Sequence, residues 1–351
     1  MERSFFNVDD YKIAAKMLMN KGAWDYADCG ADGEVTKLEN AESFSKYKFI
    51  PKRLNNIYNP DLSTKILGQD VSSPIMLAPI SPLTLIHEDG ELAQASAGKE
   101  TENIAVISTD CHYSLEEVCK YSNKLWFQMY CYGDRNFLKD MINRVENSGY
   151  KALVVTVDCT ILGNRESLLK TSFKMPSTIK MGNLANLYKD NKEQLVSGSV
   201  ERIKLTWDDI SWIRNQTKLP LIIKGLLHPN DIKTAMELGV DAVILSNHGG
   251  RQLDYSISPI TILEEIRNLV GNNMEIYIDG GIGRGTDILK SICLGANAVL
   301  IGRSYLWGLA VAGKLGVVDV INILSNEMKK SMIQLGVDSI KDLNKDLIRI
   351  C

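Results

Sequence analysis

The sequence predicts an α/β fold of the closed (β/α)8 type, on three observations. Eight short apolar runs recur from about residue 74 onward, amphipathic helical stretches separate most of them, and one form of helix-to-strand junction is used three times. Runs apolar on successive positions suit strands buried on both faces of a parallel sheet. Eight of them alternating with helices point to the (β/α)8 TIM barrel, which a chain of 351 residues can fill as a single domain, 1–351.

In order, the strands are expected at Pro74 to Pro79, Ile104 to Ser108, Leu125 to Tyr130 and Ala152 to Asp158. The second four are Leu221 to Lys224, Ala242 to Ser246, Glu275 to Asp279 and Ala298 to Ile301. Between them, Arg135 to Ser148, Asn230 to Leu238 and Asp287 to Leu294 carry helical periodicity. The junctions Gly149-Tyr-Lys-Ala152, Gly239-Val-Asp-Ala242 and Gly295-Ala-Asn-Ala298 each place a glycine where a helix ends and a strand follows. Residues 1–73 form an N-terminal helical extension, with a helix over Asp9 to Asn20 and Tyr26 on the segment after it. Met175 to Leu205, polar and rich in Lys, Asn and Ser, reads as a long loop after strand four and a lid over the barrel mouth.

Composition narrows the function. A net charge of -3 without any basic cluster argues against a nucleic-acid partner. No run approaches the ~20 apolar residues that span a bilayer, so no membrane partner is expected. Seven cysteines without a C-x-x-C pair suggest free thiols in a reducing compartment. Met1 to Asp10 lacks a signal-peptide core, and the terminal Ile-Arg-Ile-Cys is not a peroxisomal tripeptide, so the cytoplasm is expected. Four histidines and no acidic cluster at ligand spacing give no reason to expect a metal.

The unusual polar residues fall at the C-terminal ends of the expected strands, where such barrels build their sites. Strand three ends in Gln128 and Tyr130, strand four in Thr156 and Asp158 with Arg165 beyond, and strand five in Lys224. Strand six runs into Ser246-Asn-His248-Gly-Gly-Arg251, strand seven into Asp279-Gly280-Gly281 with Arg284, and strand eight into Gly302-Arg303. The glycine-rich turns after strands seven and eight suit a phosphate, bound by backbone N–H groups, a helix N-terminus near Gly285, and Arg284 and Arg303. His248 is a candidate base, although a single histidine can equally be structural. Arg251 three residues on suits an anionic substrate, Asp158 could hold the imidazole, and Arg165 with Arg251 could clamp a carboxylate.

Ser246-Asn-His-Gly-Gly-Arg-Gln-Leu-Asp254, followed by Asp279-Gly-Gly-Ile-Gly-Arg-Gly-Thr-Asp287, resembles the motifs of the FMN-dependent 2-hydroxy acid oxidase and dehydrogenase family, which includes glycolate oxidase, lactate oxidase and mandelate dehydrogenase. The resemblance runs from about Tyr11 to about Leu347. It implies FMN as cofactor, a small 2-hydroxy acid as substrate, oxygen or another electron acceptor, and a homo-oligomer, a homotetramer by analogy. It gives His248 the role of base and Asp158 that of its partner. Arg165 and Arg251 become the carboxylate clamp, and Tyr26 and Tyr130 the substrate tyrosines. Pro79, Ile80 and Ser81 are placed at the flavin N5 edge, Ser108, Gln128 and Thr156 on the ring, and Lys224 near N1 and O2. Ser246 and Asp279 also face the cofactor, with Gly281, Arg284, Gly302 and Arg303 at its phosphate.

The chain departs from glycolate oxidase at three places. Asp110 stands where a tryptophan borders the substrate pocket, Ile80-Ser81 replaces Thr-Ala or Ile-Ala, and Thr160-Ile161 replaces Pro-Arg. Asp110 could enlarge the pocket and favour a polar side chain, or turn away to cap its own loop. An FMN barrel of another class, such as an isomerase, and a non-catalytic flavin-binding barrel remain the alternatives.

Overall fold

The computed structural model describes residues 5–185 and 203–351. Eight parallel strands close into a barrel, β1 (Ile75–Leu77), β2 (Ile104–Ser108), β3 (Leu125–Met129), β4 (Leu153–Thr156), β5 (Leu221–Leu226), β6 (Ala242–Leu245), β7 (Glu275–Ile278) and β8 (Ala298–Ile301), with β8 pairing back onto β1. Each expected apolar run is thus a strand, in the expected order.

Alternation along the strands sorts their side chains into two cores. Met76, Val106, Trp126, Val154, Ile222, Ile244, Tyr277 and Leu300 pack together inside the barrel. Their sequence neighbours, such as Ile75, Ile107, Phe127, Val155 and Ile223, pack against the surrounding helices. Two residues further along β2, β3, β4 and β5, the inward positions are Ser108, Gln128, Thr156 and Lys224. The apolar interior therefore gives way to a polar layer at the C-terminal mouth. Register keeps that layer level, since Ser108 pairs with Gln128 and Thr156 with Lys224. At the opposite mouth a hairpin of Thr64–Ile66 and Gln69–Val71 plugs the barrel, with Ile66 and Val71 buried in the inner core.

The helices begin at local signals. Asp134 caps Arg135–Asn147 by accepting from the Phe137 N–H, and Pro229 and Pro259 open Pro229–Glu237 and Pro259–Val270. Thr206 and Asp209 form a reciprocal capping box on Trp207–Gln216. The three junction glycines, Gly149, Gly239 and Gly295, all have positive φ. The expected helix over Asp9 to Asn20 ends sooner, as Val8–Leu18, because Asn20 caps a second helix, Lys21–Asp28, which carries Tyr26. A third helix, Val35–Glu42, completes the helical part of the extension. The strand Tyr47–Phe49 then pairs antiparallel with Ile348–Ile350, tying the extension to the C-terminal segment.

Among the described residues, Arg303–Leu335 is long and apolar enough to cross a membrane. The sequence reading found no such run. Here it is a core helix, with Tyr305, Leu309, Val320, Leu324 and Met328 buried and the backbone broken at Ala312 and Gly313. Of the lid expected over Met175 to Leu205, residues 186–202 lie outside the described residues. The described flanks are turns and extended chain, tied at Ile203, whose N–H donates to the Cys131 carbonyl.

Candidate active site

A cavity of about 2030 Å³ opens at the C-terminal mouth, lined among others by Tyr26, Tyr130, Arg165, Lys224, His248 and Arg251. His248 occupies the left-handed region at φ 60°, a conformation that costs a non-glycine residue about 1 kcal/mol. Its N–H donates to Ser246 Oγ at 2.9 Å, and its ring meets Asp158.

His248 Nδ1 lies 3.0 Å from Asp158 Oδ1, and Nε2 lies 3.4 Å from the Tyr130 hydroxyl. An ionised carboxylate can only accept, so Nδ1 carries the proton and Nε2 offers its lone pair beside Tyr130. Burial opposes charge on both partners. For Asp158 the neighbouring His248 charge and the Lys224 ammonium outweigh burial and hold the carboxyl down at about 2. For His248 burial is outweighed by Asp158 and Cys159, and the ring stays above its ordinary value. Asp158 rests against Gly225, where φ is +108° and a Cβ would come within 2.6 Å of the Asp158 Cβ and Cγ.

Arg165 and Arg251 both line the cavity. Arg251 Nη1 donates to the carbonyls of Tyr26 and Cys29 at 2.9 and 3.0 Å, and the guanidinium stacks over the Tyr26 ring. Arg165 Nε is buried with no hydrogen-bond partner among the described residues. Two part-buried cations on one cavity wall favour an anion between them, and burial and Arg251 both push Arg165 below its ordinary value. Asp110 lines the same cavity rather than turning away, with both carboxylate oxygens accepting from Tyr132 at 3.0 and 3.1 Å.

The polar layer fits a flavin. Gln128 Nε2 and Thr156 Oγ1, near the C-terminal ends of the adjacent strands β3 and β4, and Asp279 Oδ1, just beyond β7, are buried without hydrogen-bond partners among the described residues. Left so they would each cost about 1–3 kcal/mol, which a polar planar ring would remove. Lys224 Nζ, 3.1 Å from Asp279 Oδ2 and 2.9 Å from Ser246 Oγ, adds a buried cation beside them. Pro79, Ile80 and Ser81 line the cavity from β1, and Ser81 Oγ donates to Ser108 Oγ at 2.9 Å. Ser108, Gln128, Thr156 and Ser246 lie just beneath its surface, buried.

At the other end, Gly281, Gly302 and Arg303 line the cavity. A Cβ on Gly281 would strike the Asn40 backbone at 2.3 Å, so the loop after β7 can seat against the extension only as glycine. Arg303 donates to the carbonyls of Ala27, Gly249 and Cys29, and burial and Arg251 push it down to about 10. Arg284 departs from the sequence expectation. Its side chain points away from this end of the cavity to Glu327, at 2.9 Å, and is half exposed. Arg284 is the N-cap of Gly285–Cys293 and its ion pair with Glu327 draws the side chain outward, so that its neighbour Gly283 lines the cavity instead.

Four contributors escaped the sequence reading. Asn40 and Asn247 exchange two buried amide hydrogen bonds at 2.7 and 2.8 Å. Asp254 accepts from the N–H groups of Val35 and Thr36, capping from outside a helix whose own N-cap residue, Glu34, makes no side-chain capping bond. The loop after β6 thus carries His248 and also fastens the extension that holds Tyr26. Cys159 follows Asp158 directly, and its Sγ lies 3.4 Å from His248 Nδ1.

Residues 15–350 match the family model described as FMN-dependent dehydrogenase. The chain is 38% identical to a 2-hydroxyacid oxidase of Dictyostelium discoideum, covering 98% of this chain and 90% of that one. It is 37% identical to an L-lactate oxidase of Nostoc sp., covering 98% of each. A solved structure of an active mutant of (S)-mandelate dehydrogenase superposes with a TM-score of 0.93 at 33% identity, over 99% of this chain and 100% of that one.

Proposed function

This chain belongs to the FMN-dependent dehydrogenase family, and from that premise we propose that His248 is the base of a two-electron oxidation of a small 2-hydroxy acid to its 2-oxo acid. The chain is an FMN-dependent 2-hydroxy acid oxidase or dehydrogenase. The observation that carries the assignment of the base is the 3.0 Å contact between His248 Nδ1 and Asp158, which leaves Nε2 as acceptor beside Tyr130.

FMN, when bound, supplies the acceptance of two electrons, which pass on to oxygen or another acceptor. Pro79, Ile80, Ser81, Ser108, Gln128, Thr156, Lys224, Ser246 and Asp279 would hold its ring and ribityl chain, and Gly281, Gly302 and Arg303 its phosphate. Arg165 and Arg251 hold the substrate carboxylate by charge-assisted hydrogen bonds and so orient the α-carbon. His248 takes the substrate's proton at Nε2. Asp158 steadies the imidazolium that results, and Tyr130 and Tyr26 bound the substrate on the cavity side. The enzyme is further proposed to work in the cytoplasm as a homo-oligomer. Seven free cysteines, together with exposed apolar residues on the first helix such as Ile13 and Met17, support this.

The test is the visible spectrum of the purified FMN-loaded protein, taken without oxygen, as glycolate, lactate, mandelate and acids with polar or basic side chains are added. Bleaching of the flavin band by one member is expected. A flavin band that none of a wide panel bleaches would overturn the reading.

A further inference from the structure

Cys159 has no part in the chemistry above, yet it sits against the group that performs it. It is buried, lines the cavity, and its Sγ stands 3.4 Å from His248 Nδ1 and 3.4 Å from Asp158 Oδ1. With the 3.0 Å separation of Nδ1 and Oδ1, a thiol, an imidazole and a carboxylate form a nearly regular triangle. Donors bound tetrahedrally to zinc at about 2.0–2.3 Å stand about 3.3–3.7 Å apart. The triangle needs to open by only a few tenths of an ångström to accept such an ion.

We propose that Cys159, His248 Nδ1 and Asp158 form an inhibitory site for a thiolate-binding divalent cation such as Zn2+. A carboxylate and an imidazole alone would bind such an ion weakly. The thiolate makes the set selective for soft and borderline ions over Mg2+ and Ca2+, which take oxygen ligands. Binding releases the thiol proton to solvent and puts the metal on the Nδ1 lone pair, while the ring's single proton moves from Nδ1 to Nε2. That nitrogen no longer accepts, and Asp158 no longer faces an N–H. The site is thus a block on the base rather than a source of catalytic metal. Binding of the ion is independent of the proposed function, whereas the loss of turnover rests on His248 being the base.

The experiment uses the FMN-loaded enzyme. Equilibrium dialysis against Zn2+ reads binding directly, and anaerobic flavin reduction by a 2-hydroxy acid reads its consequence. One tight Zn2+ per chain is expected, with flavin reduction slowed at least tenfold and restored by EDTA. Cys159→Ser and Cys159→Ala, checked for retained flavin, should raise the Zn2+ dissociation constant at least tenfold, so that reduction in each variant changes little on adding the metal. Cys351→Ser, at the exposed C-terminal thiol, should bind Zn2+ as the parent does. Zn2+ binding that persists in both Cys159 variants, or that is lost in Cys351→Ser, would overturn the proposal. So would the absence of a stoichiometric site. Tight binding at Cys159 without slower reduction would leave the metal site standing and count against His248 as base.

Discussion

Replacing Asp158 by Asn removes one charge and leaves the shape. The carboxyl is held at about 2 instead of 3.8, although burial opposes its ionisation. A lowering of that size corresponds to roughly 2 kcal/mol, shared between His248 and Lys224. His248 is the first attractive partner behind it. An uncharged amide gives little of this back, and the imidazolium formed on taking the substrate's proton loses the same support. Flavin reduction in Asp158→Asn should therefore fall by about tenfold or more. FMN content should be unchanged, because Asp158 is not among the residues assigned to hold the cofactor. The assay is anaerobic stopped-flow reduction of the bound flavin at saturating 2-hydroxy acid. A rate within threefold of the parent, with flavin fully bound, would refute the coupling of the carboxylate to the base.

Other predictions follow from the same geometry. Gly225→Ala puts a Cβ 2.6 Å from Asp158 Cγ at a φ of +108°, so reduction should slow at least tenfold in stopped flow and thermal unfolding should show a loss of about 1–3 kcal/mol. Arg303→Ala should weaken FMN binding by about tenfold or more by flavin fluorescence. Arg284→Ala, which breaks a half-exposed ion pair with Glu327, should leave FMN affinity within twofold and cost at most about 1 kcal/mol of stability. The base must be neutral to act, and His248 holds its proton more tightly than an ordinary imidazole. In chelator-treated buffer kcat/KM should accordingly fall as pH drops, with an inflection above about 6.5. An inflection below that value would contradict the ion pair.

The fold was legible because its signals are local. Each strand is built on a short apolar run, and each of the three junction glycines has a positive φ. The site was legible as far as it follows strand ends, since two residues beyond Trp126, Val154 and Ile222 the inward positions are Gln128, Thr156 and Lys224. What depends on distant segments meeting was not. Asn40 finds Asn247 across 207 positions, and Asp254 caps a helix more than 200 residues away. Arg284 was misplaced because a loop of Gly280, Gly281 and Gly283 leaves side-chain direction to tertiary partners, here Glu327 on the last long helix. Cys159 adjoins Asp158 in sequence, but its contact with His248 across 89 positions is a product of closing the barrel.

The proposed division of labour has His248 remove the proton while other residues hold FMN. The measurement that tests it most directly is the anaerobic reduction of bound flavin by a 2-hydroxy acid in His248→Ala. With the flavin spectrum intact, the rate should fall by about 10²–10⁴-fold. A variant that reduces its flavin at the parent rate would contradict the account.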